Sequence, residues 1–257
     1  MSRRNWTRDE TILALYLYYE IPFGKIHSNS IEIIKLAEDI GRTPAAVAMK
    51  MCNLARFDET LRFRNVNGLK NGSKMDKLIW NEFVNDGEKL LVEMQRILEG
   101  NNLEIVIKED QDMFYDYFPY GSNIEVVAKA RKNQKFFRKM VLTAYNYKCC
   151  ISNIEIPEFL IASHIKPWRV SDDKTEKVNP RNGLCLNVFY DKAFDAGYIT
   201  VTSDFIIHVS KSIKEKYKDE ASKIWLHQCD RKVINLPEKF MPEKKFLEYH
   251  NDVIFKR

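Results

Sequence analysis

The sequence predicts an α+β protein: an N-terminal all-α, helix-turn-helix-like domain followed by a strand–loop–strand–helix (ββα) domain. Three observations carry this expectation. Within residues 7–57 and 78–98, apolar side chains recur at helical spacing between recognisable caps. The stretch 159–197 reads as FLIASH, a charged loop, GLCLNV and YDKAFDAG, which is strand, loop, strand, helix. Between these, residues 101–122 are punctuated by Gly, Asn, Asp and Pro and hold no period beyond a short strand-like LEIVI. The expected division is 1–100 helical, 101–122 linker and 123–257 ββα domain.

The first helix is expected to begin at Arg8, because Thr7 and Glu10 make a capping box. Ile12, Leu13, Leu15, Tyr16 and Tyr19 give it a buried face. PFGKIH reads as a loop, and a second helix runs from near Ser30 to Gly41, a natural left-handed stop. Thr43-Pro44 then reads as an N-cap followed by proline in the first helical position, opening a third helix that buries Val47, Met51 and Leu54. Two short helices joined by Gly-Arg-Thr have the outline of a helix-turn-helix. In that motif the N-terminus of the second helix meets base edges, so Arg42, Thr43 and Lys50 would face nucleic acid. An ordinary helical hairpin with these side chains in solvent accounts for the same residues.

LRFRNVNGLKNGSKMDK follows, with Arg62, Arg64, Lys70, Lys74 and Lys77 around two glycines. Such a loop can lie along phosphates, with Arg64 and Lys70 as contacts, or serve as a solvated connector. Leu78, Ile79 and Phe83, then Leu90, Leu91, Met94, Ile97 and Leu98, continue as packing stripes of two more helices. The linker aromatics Phe114, Tyr115, Tyr117, Phe118 and Tyr120 are expected to pack on a neighbouring domain.

Bulk properties narrow the classes. At 257 residues, 45% apolar and 30% charged, the chain can bury a sizeable core. No apolar run approaches the ~18 residues of a membrane span, and MSRRNWTRDE lacks a signal peptide's apolar centre, so no membrane partner and a cytoplasmic location are expected. Five scattered cysteines without a CxxC pair argue against a disulfide framework and a four-cysteine zinc site. A net charge of +5 suits a polyanionic partner without requiring one.

In the C-terminal part, IEVVAKARKNQKFFRKMVLTAYNY reads as one long helix with Phe137, Val141 and Tyr145 on one face. Lys129, Arg131, Lys132, Lys135, Arg138 and Lys139 crowd the others, as a phosphate-contacting side or a solvated one. A strand then ends at His164, a loop follows, a second strand opens after Asn182, and a short helix begins near Asp191. YITV and FIIHVS make a hairpin around Thr202-Ser203-Asp204.

NQKFFRKMVLTAYNYKC, SNIEIPEFLIASHIKPW, NPRNGLCLN and YDKAFDAGYIT together resemble the HNH (ββα-metal, or His-Me finger) endonucleases, in particular the branch found in bacterial restriction-type proteins. The opening NWTRDETILALYLYYEIPFGKIH with IGRTPAAVAMKMCNLARFD is similar to the region that often precedes that nuclease domain. The resemblance implies His164 as general base, Asn182 as the central asparagine and Asp191 in the third, metal-binding position. Two departures stand out. Ser163 precedes His164 where several relatives carry a second metal ligand, and the paired zinc cysteines are absent, although Cys149 matches a single cysteine of this branch. Metal binding is then expected to rest on Asp191, water and the scissile phosphate, with Asp195 as helper.

The chemistry suits these residue types. A neutral histidine accepts a proton from water near physiological pH, and a hard cation on carboxylate oxygens relieves charge on phosphate and leaving group, favouring Mg²⁺ (or Mn²⁺) over zinc. Asn182 would fix the loop, and Lys166, Arg181 and Lys192 would steer phosphates. The resulting expectation is a metal-dependent endonuclease for double-stranded DNA, serving restriction or defence, homodimeric because one site per chain must cut two strands. Two rivals are a non-catalytic DNA-binding regulator with a relic nuclease fold, and an RNA-cutting toxin.

Overall fold

A computed structural model describes residues 4–66, 72–101 and 124–257, with side chains from residue 128 onward in the last span. Lys70, the LEIVI stretch and the linker aromatics lie outside the described residues.

Helix α1 (Arg8–Glu20) starts as its residues dictate: Thr7 accepts from the Glu10 amide, and the Glu10 carboxylate accepts from the Thr7 amide. Its role is larger than the one buried face expected. All ten residues from Glu10 to Tyr19 are buried, because the run ILALYLYY is apolar on every side. Helices α2 (Ile31–Asp39), α3 (Pro44–Ala55), α5 (Lys74–Phe83), α6 (Gly87–Asn101) and α7 (Ile124–Ala144) pack around it, with the short α4 (Glu59–Phe63) between α3 and α5. Gly41 takes φ +63° to end α2, and Thr43 caps α3 through the Ala46 amide.

Strands β1 (Leu160–His164) and β2 (Gly183–Asn187) form an antiparallel ribbon with Leu160 opposite Asn187 and His164 opposite Gly183. Helix α8 (Val188–Asp195) leaves β2 at once, because Asn187 Oδ1 accepts from the amides of Phe189 and Tyr190. A second hairpin pairs β3 (Ile199–Val201) with β4 (Ile207–Val209). Short helices α9 (Lys211–Lys216), α10 (Glu220–Trp225) and α11 (Lys244–Tyr249) and a π-turn at His250–Ile254 complete the chain. No helix among the described residues is long and apolar enough to cross a membrane.

One buried apolar cluster runs from Ile12 to Leu247, so the helical and ββα parts share a core across the 101–122 stretch. Polar ties join them as well. Thr143 Oγ1 donates to the Tyr19 carbonyl (3.1 Å). The segment 238–243 crosses over α1 and α4: Lys239 Nζ donates to the carbonyls of Tyr18 (2.6 Å) and Ile21 (2.7 Å). The Phe240 amide donates to Asp58 Oδ2 and the Met241 amide to Thr60 Oγ1. The same segment ends against the ββα loop, where the Glu243 amide donates to the Arg181 carbonyl (3.1 Å).

Candidate active site

The loop between β1 and β2 is organised by Asn182, which is fully buried. Its Oδ1 accepts from the Lys166 amide (2.8 Å), while Nδ2 faces the Lys166 carbonyl (3.2 Å), Ser171 Oγ (3.3 Å) and the Glu176 carbonyl (3.3 Å). The Ile165 amide donates to the Asn182 carbonyl (2.9 Å). One side chain thus ties three points of the loop to the start of β2, and a primary amide, with donors and an acceptor together, is suited to that task. Lys166 is drawn inward by Glu176 (2.5 Å), a loop residue that no motif or spacing marks out.

His164 closes β1 with its ring half-buried. It stacks on Phe137 of α7 (centroids 3.8 Å, planes 14° apart) and meets Trp168 edge-on at 5.3 Å. Its Nε2 lies 3.0 Å from the Lys177 carbonyl. Burial pushes the imidazole down to about 4, only partly opposed by that carbonyl, so the ring is neutral at pH 7. A carbonyl oxygen has no proton to give; Nε2 therefore carries the hydrogen and Nδ1 keeps its lone pair.

Ser163, one residue earlier, points to the other side of the strand. Its hydroxyl is buried without a well-formed hydrogen bond, yet lies near enough to Asp191 of α8 to favour that carboxylate's charged form. Asp191 is nevertheless pushed up to about 6, first by burial and then by the Asp195 charge one helical turn on. Asp195 is raised too, chiefly by burial. The field of Lys192 works against both shifts.

The structure therefore gathers Ser163, Asp191 and Asp195 on one side of β1 and His164 with Trp168 on the other. No hydrogen bond or ion pair joins His164 to Asp191 among the described residues, and no group of three or more His, Cys, Asp or Glu side chains there makes a ready cation cage. What is present does fit a hard divalent cation. The part-buried Asp191 and the exposed Asp195 carboxylates repel one another beside the Ser163 hydroxyl, all three are oxygen donors, and among the described residues Lys192 offsets their charge.

The residues expected to meet nucleic acid are placed differently. Arg42 is ion-paired with Glu10 (2.7 Å), lies 4.1 Å from the Trp6 ring centre and has a side chain only 8% exposed. Lys50 is buried against Asp76 (2.5 Å), and the Thr43 side chain is taken up as the cap of α3. Arg64 bonds Glu238, through both its carbonyl (3.1 Å) and its carboxylate (3.3 Å). Arg181 pairs with Glu243 at 3.6 Å. Of the cationic helix, Arg138 is structural, donating to the carbonyls of Leu160 (2.6 Å) and Pro157 (3.3 Å) and so fastening α7 to β1. Arg42 and Lys50 thus complete the helical core rather than a recognition face, because each has a buried carboxylate within reach.

Residues 149–202 match the model of the HNH endonuclease family. The match takes in His164, Asn182 and Asp191, covers about a fifth of the chain and does not reach the N-terminal helices. It supports a nuclease activity, and hence a nucleic-acid substrate, for this segment. No curated protein matches the chain.

Proposed function

We propose that this chain is a metal-dependent endodeoxyribonuclease whose catalytic unit is β1, β2 and α8. The observation that carries the reading is the 3.0 Å contact of His164 Nε2 with the Lys177 carbonyl: an Nε2–H committed to that oxygen leaves Nδ1 as the proton acceptor. Its depressed pKa keeps the ring in the accepting form at every pH near neutrality. His164 takes the proton of the attacking water. Asn182 keeps the loop, and with it the Lys177 carbonyl, in register with the strand, and Phe137 and Trp168 fix the ring plane.

Asp191 and Asp195 would hold a Mg²⁺ or Mn²⁺ ion, with the Ser163 hydroxyl beside them. Such an ion, when bound, supplies charge relief for the phosphate and the departing oxygen. Ser163 and His164 are consecutive at the C-terminal end of β1, so a phosphate would have to approach that end of the strand to meet both the imidazole and the carboxylates. DNA as the preferred polymer and a restriction or defence role rest on the sequence resemblance, and a homodimer on the need of one site per chain to cut two strands.

The test is cleavage of supercoiled plasmid in Mg²⁺, Mn²⁺ or EDTA. His164→Ala should lower the rate about a hundredfold or more, the usual worth of a positioned base. Salt-sensitive DNA binding without cleavage in any metal would instead support the non-catalytic regulator. Preferential loss of RNA would support the ribonuclease.

A further inference from the structure

The segment Lys211–Trp225, KSIKEKYKDEASKIW, interleaves lysines with aromatic and apolar residues and has no part in the site above. Its two short helices leave Tyr217 (53%), Ile224 (56%) and Trp225 (37%) exposed. The Trp225 ring meets Phe189 of α8 at 5.3 Å with planes 51° apart, and Phe189 is itself 41% exposed. Tyr190 beneath them donates its hydroxyl to the Trp225 carbonyl (2.7 Å), fastening α10 to α8. The aromatic pair is therefore rigidly mounted on the helix that carries Asp191. At 100° per residue, Lys192 lies on the α8 surface between the Phe189 side and the Asp191 side.

We propose that this α8–α10 face is a stacking platform for unpaired bases of the nucleic acid whose backbone enters the candidate active site. The proposal rests on the nuclease reading only for the position of the scissile bond. Half-exposed rings held by a buried tyrosine offer π-faces that any base can use, and neighbouring cations follow the phosphates. Lys192, Lys216 and Lys218 are exposed and have no ion pair among the described residues. That charge also decides between occupants. Lysines outnumber acids five to three in Lys211–Trp225 and Lys192 adds to them, a balance that draws a polyanion rather than a second copy bearing the same net charge. The preferred substrate is thus DNA with a frayed, bubbled or single-stranded stretch beside the cut.

The test uses the full chain in EDTA, with fluorescence anisotropy on a short duplex and on the same duplex carrying a central bubble. Phe189→Leu keeps an apolar side chain and should weaken bubble binding about tenfold, the order of one lost base stack, leaving duplex binding unchanged. Trp225→Phe, which keeps a ring, should retain the preference. Lys216→Glu combined with Lys218→Glu should weaken both and flatten the salt dependence. Unchanged bubble affinity in Phe189→Leu, or equal weakening on both DNAs, overturns the platform. So does a dimer in sedimentation that Phe189→Leu converts to monomer, which would give the face to a second copy. Should the protein cut nothing in any divalent cation while Phe189→Leu still removes the bubble preference, the nuclease reading falls and the platform stands.

Discussion

Asp191 and His164 are displaced from their ordinary titration in opposite directions by the same cause, loss of water. Above pH 6 the pair holds the combination that hydrolysis needs, an ionised carboxylate and a neutral imidazole; Asp191, near 6, fails first on acidification, and His164 only near 4. The acid limb of kcat/KM should therefore belong to Asp191. If Asp191 is a metal ligand, raising Mg²⁺ should move that limb to lower pH, since the cation competes with the proton. A limb that ignores Mg²⁺ would remove Asp191 from the metal site. Lys239 offers a second titration, away from the site. It is fully buried, and desolvation lowers it to about 7 despite Asp58, Glu20 and Glu238 nearby. Between 7 and its ordinary 10.5 the unfolded chain holds the extra proton, so this group makes stability rise with pH across that window; below 7 the cost of burying its charge is present in full. Buried thiols at Cys150 and Cys185, pushed upward, act in the opposite sense. The informative quantity is thus a difference: Tm of wild type minus Tm of Lys239→Met should increase from pH 7 to pH 9.

At the scale of elements, the strand that ends in His164 depends on how closely α7 approaches the ribbon. Gly183 lies opposite His164, and a Cβ there would collide with Val141 and touch Phe137, the ring on which His164 stacks. Gly183→Ala should cost about 1–3 kcal/mol in denaturant unfolding, the range for overpacking, and should lower cleavage further than the stability loss explains. Unaltered activity in a destabilised variant would show that the Phe137 contact does not position the base. The elements themselves were legible wherever their cause is local. The Thr7–Glu10 box, the Gly41 stop, the Thr43-Pro44 start and the two strands around the charged loop follow from neighbours in sequence. The environment of Arg42, Lys50 and Lys239 was not, because Glu10 for Arg42, Asp76 for Lys50 and the Tyr18 and Ile21 carbonyls for Lys239 are brought near only by folding. Within the site, His164, Asn182 and Asp191 were singled out by the family resemblance. That Ser163 rather than His164 turns toward Asp191 follows from strand alternation, a consequence legible only once α8 is known to lie on the Ser163 side.

For the molecule as a whole, the sequence favours two domains joined by a linker, whereas α1 binds both parts together. A helix apolar on every side cannot be left on the surface of either half, and here its walls come from α2, α3, α5 and α6 on the N-terminal side and from α7 on the other. The 238–243 segment closes the arrangement from the far end of the chain, seating Lys239 on the last carbonyls of α1 and Glu243 on Arg181, next to Asn182. Removing residues 1–101 would bare the face of α7 that carries Phe136, which stacks on Tyr16 at 5.3 Å, and would strip Lys239 and Phe240 of their partners. A fragment of residues 124–257 should therefore fail to give a cooperative thermal transition. The whole chain should unfold in one, with coincident far-ultraviolet circular dichroism and tryptophan fluorescence. Two separated transitions in the full chain, or a fragment that melts cooperatively, would mean that the core shared through α1 contributes little to holding the ββα unit in shape. The Asn182 clamp and the His164–Phe137 stack would then owe their geometry to that unit alone.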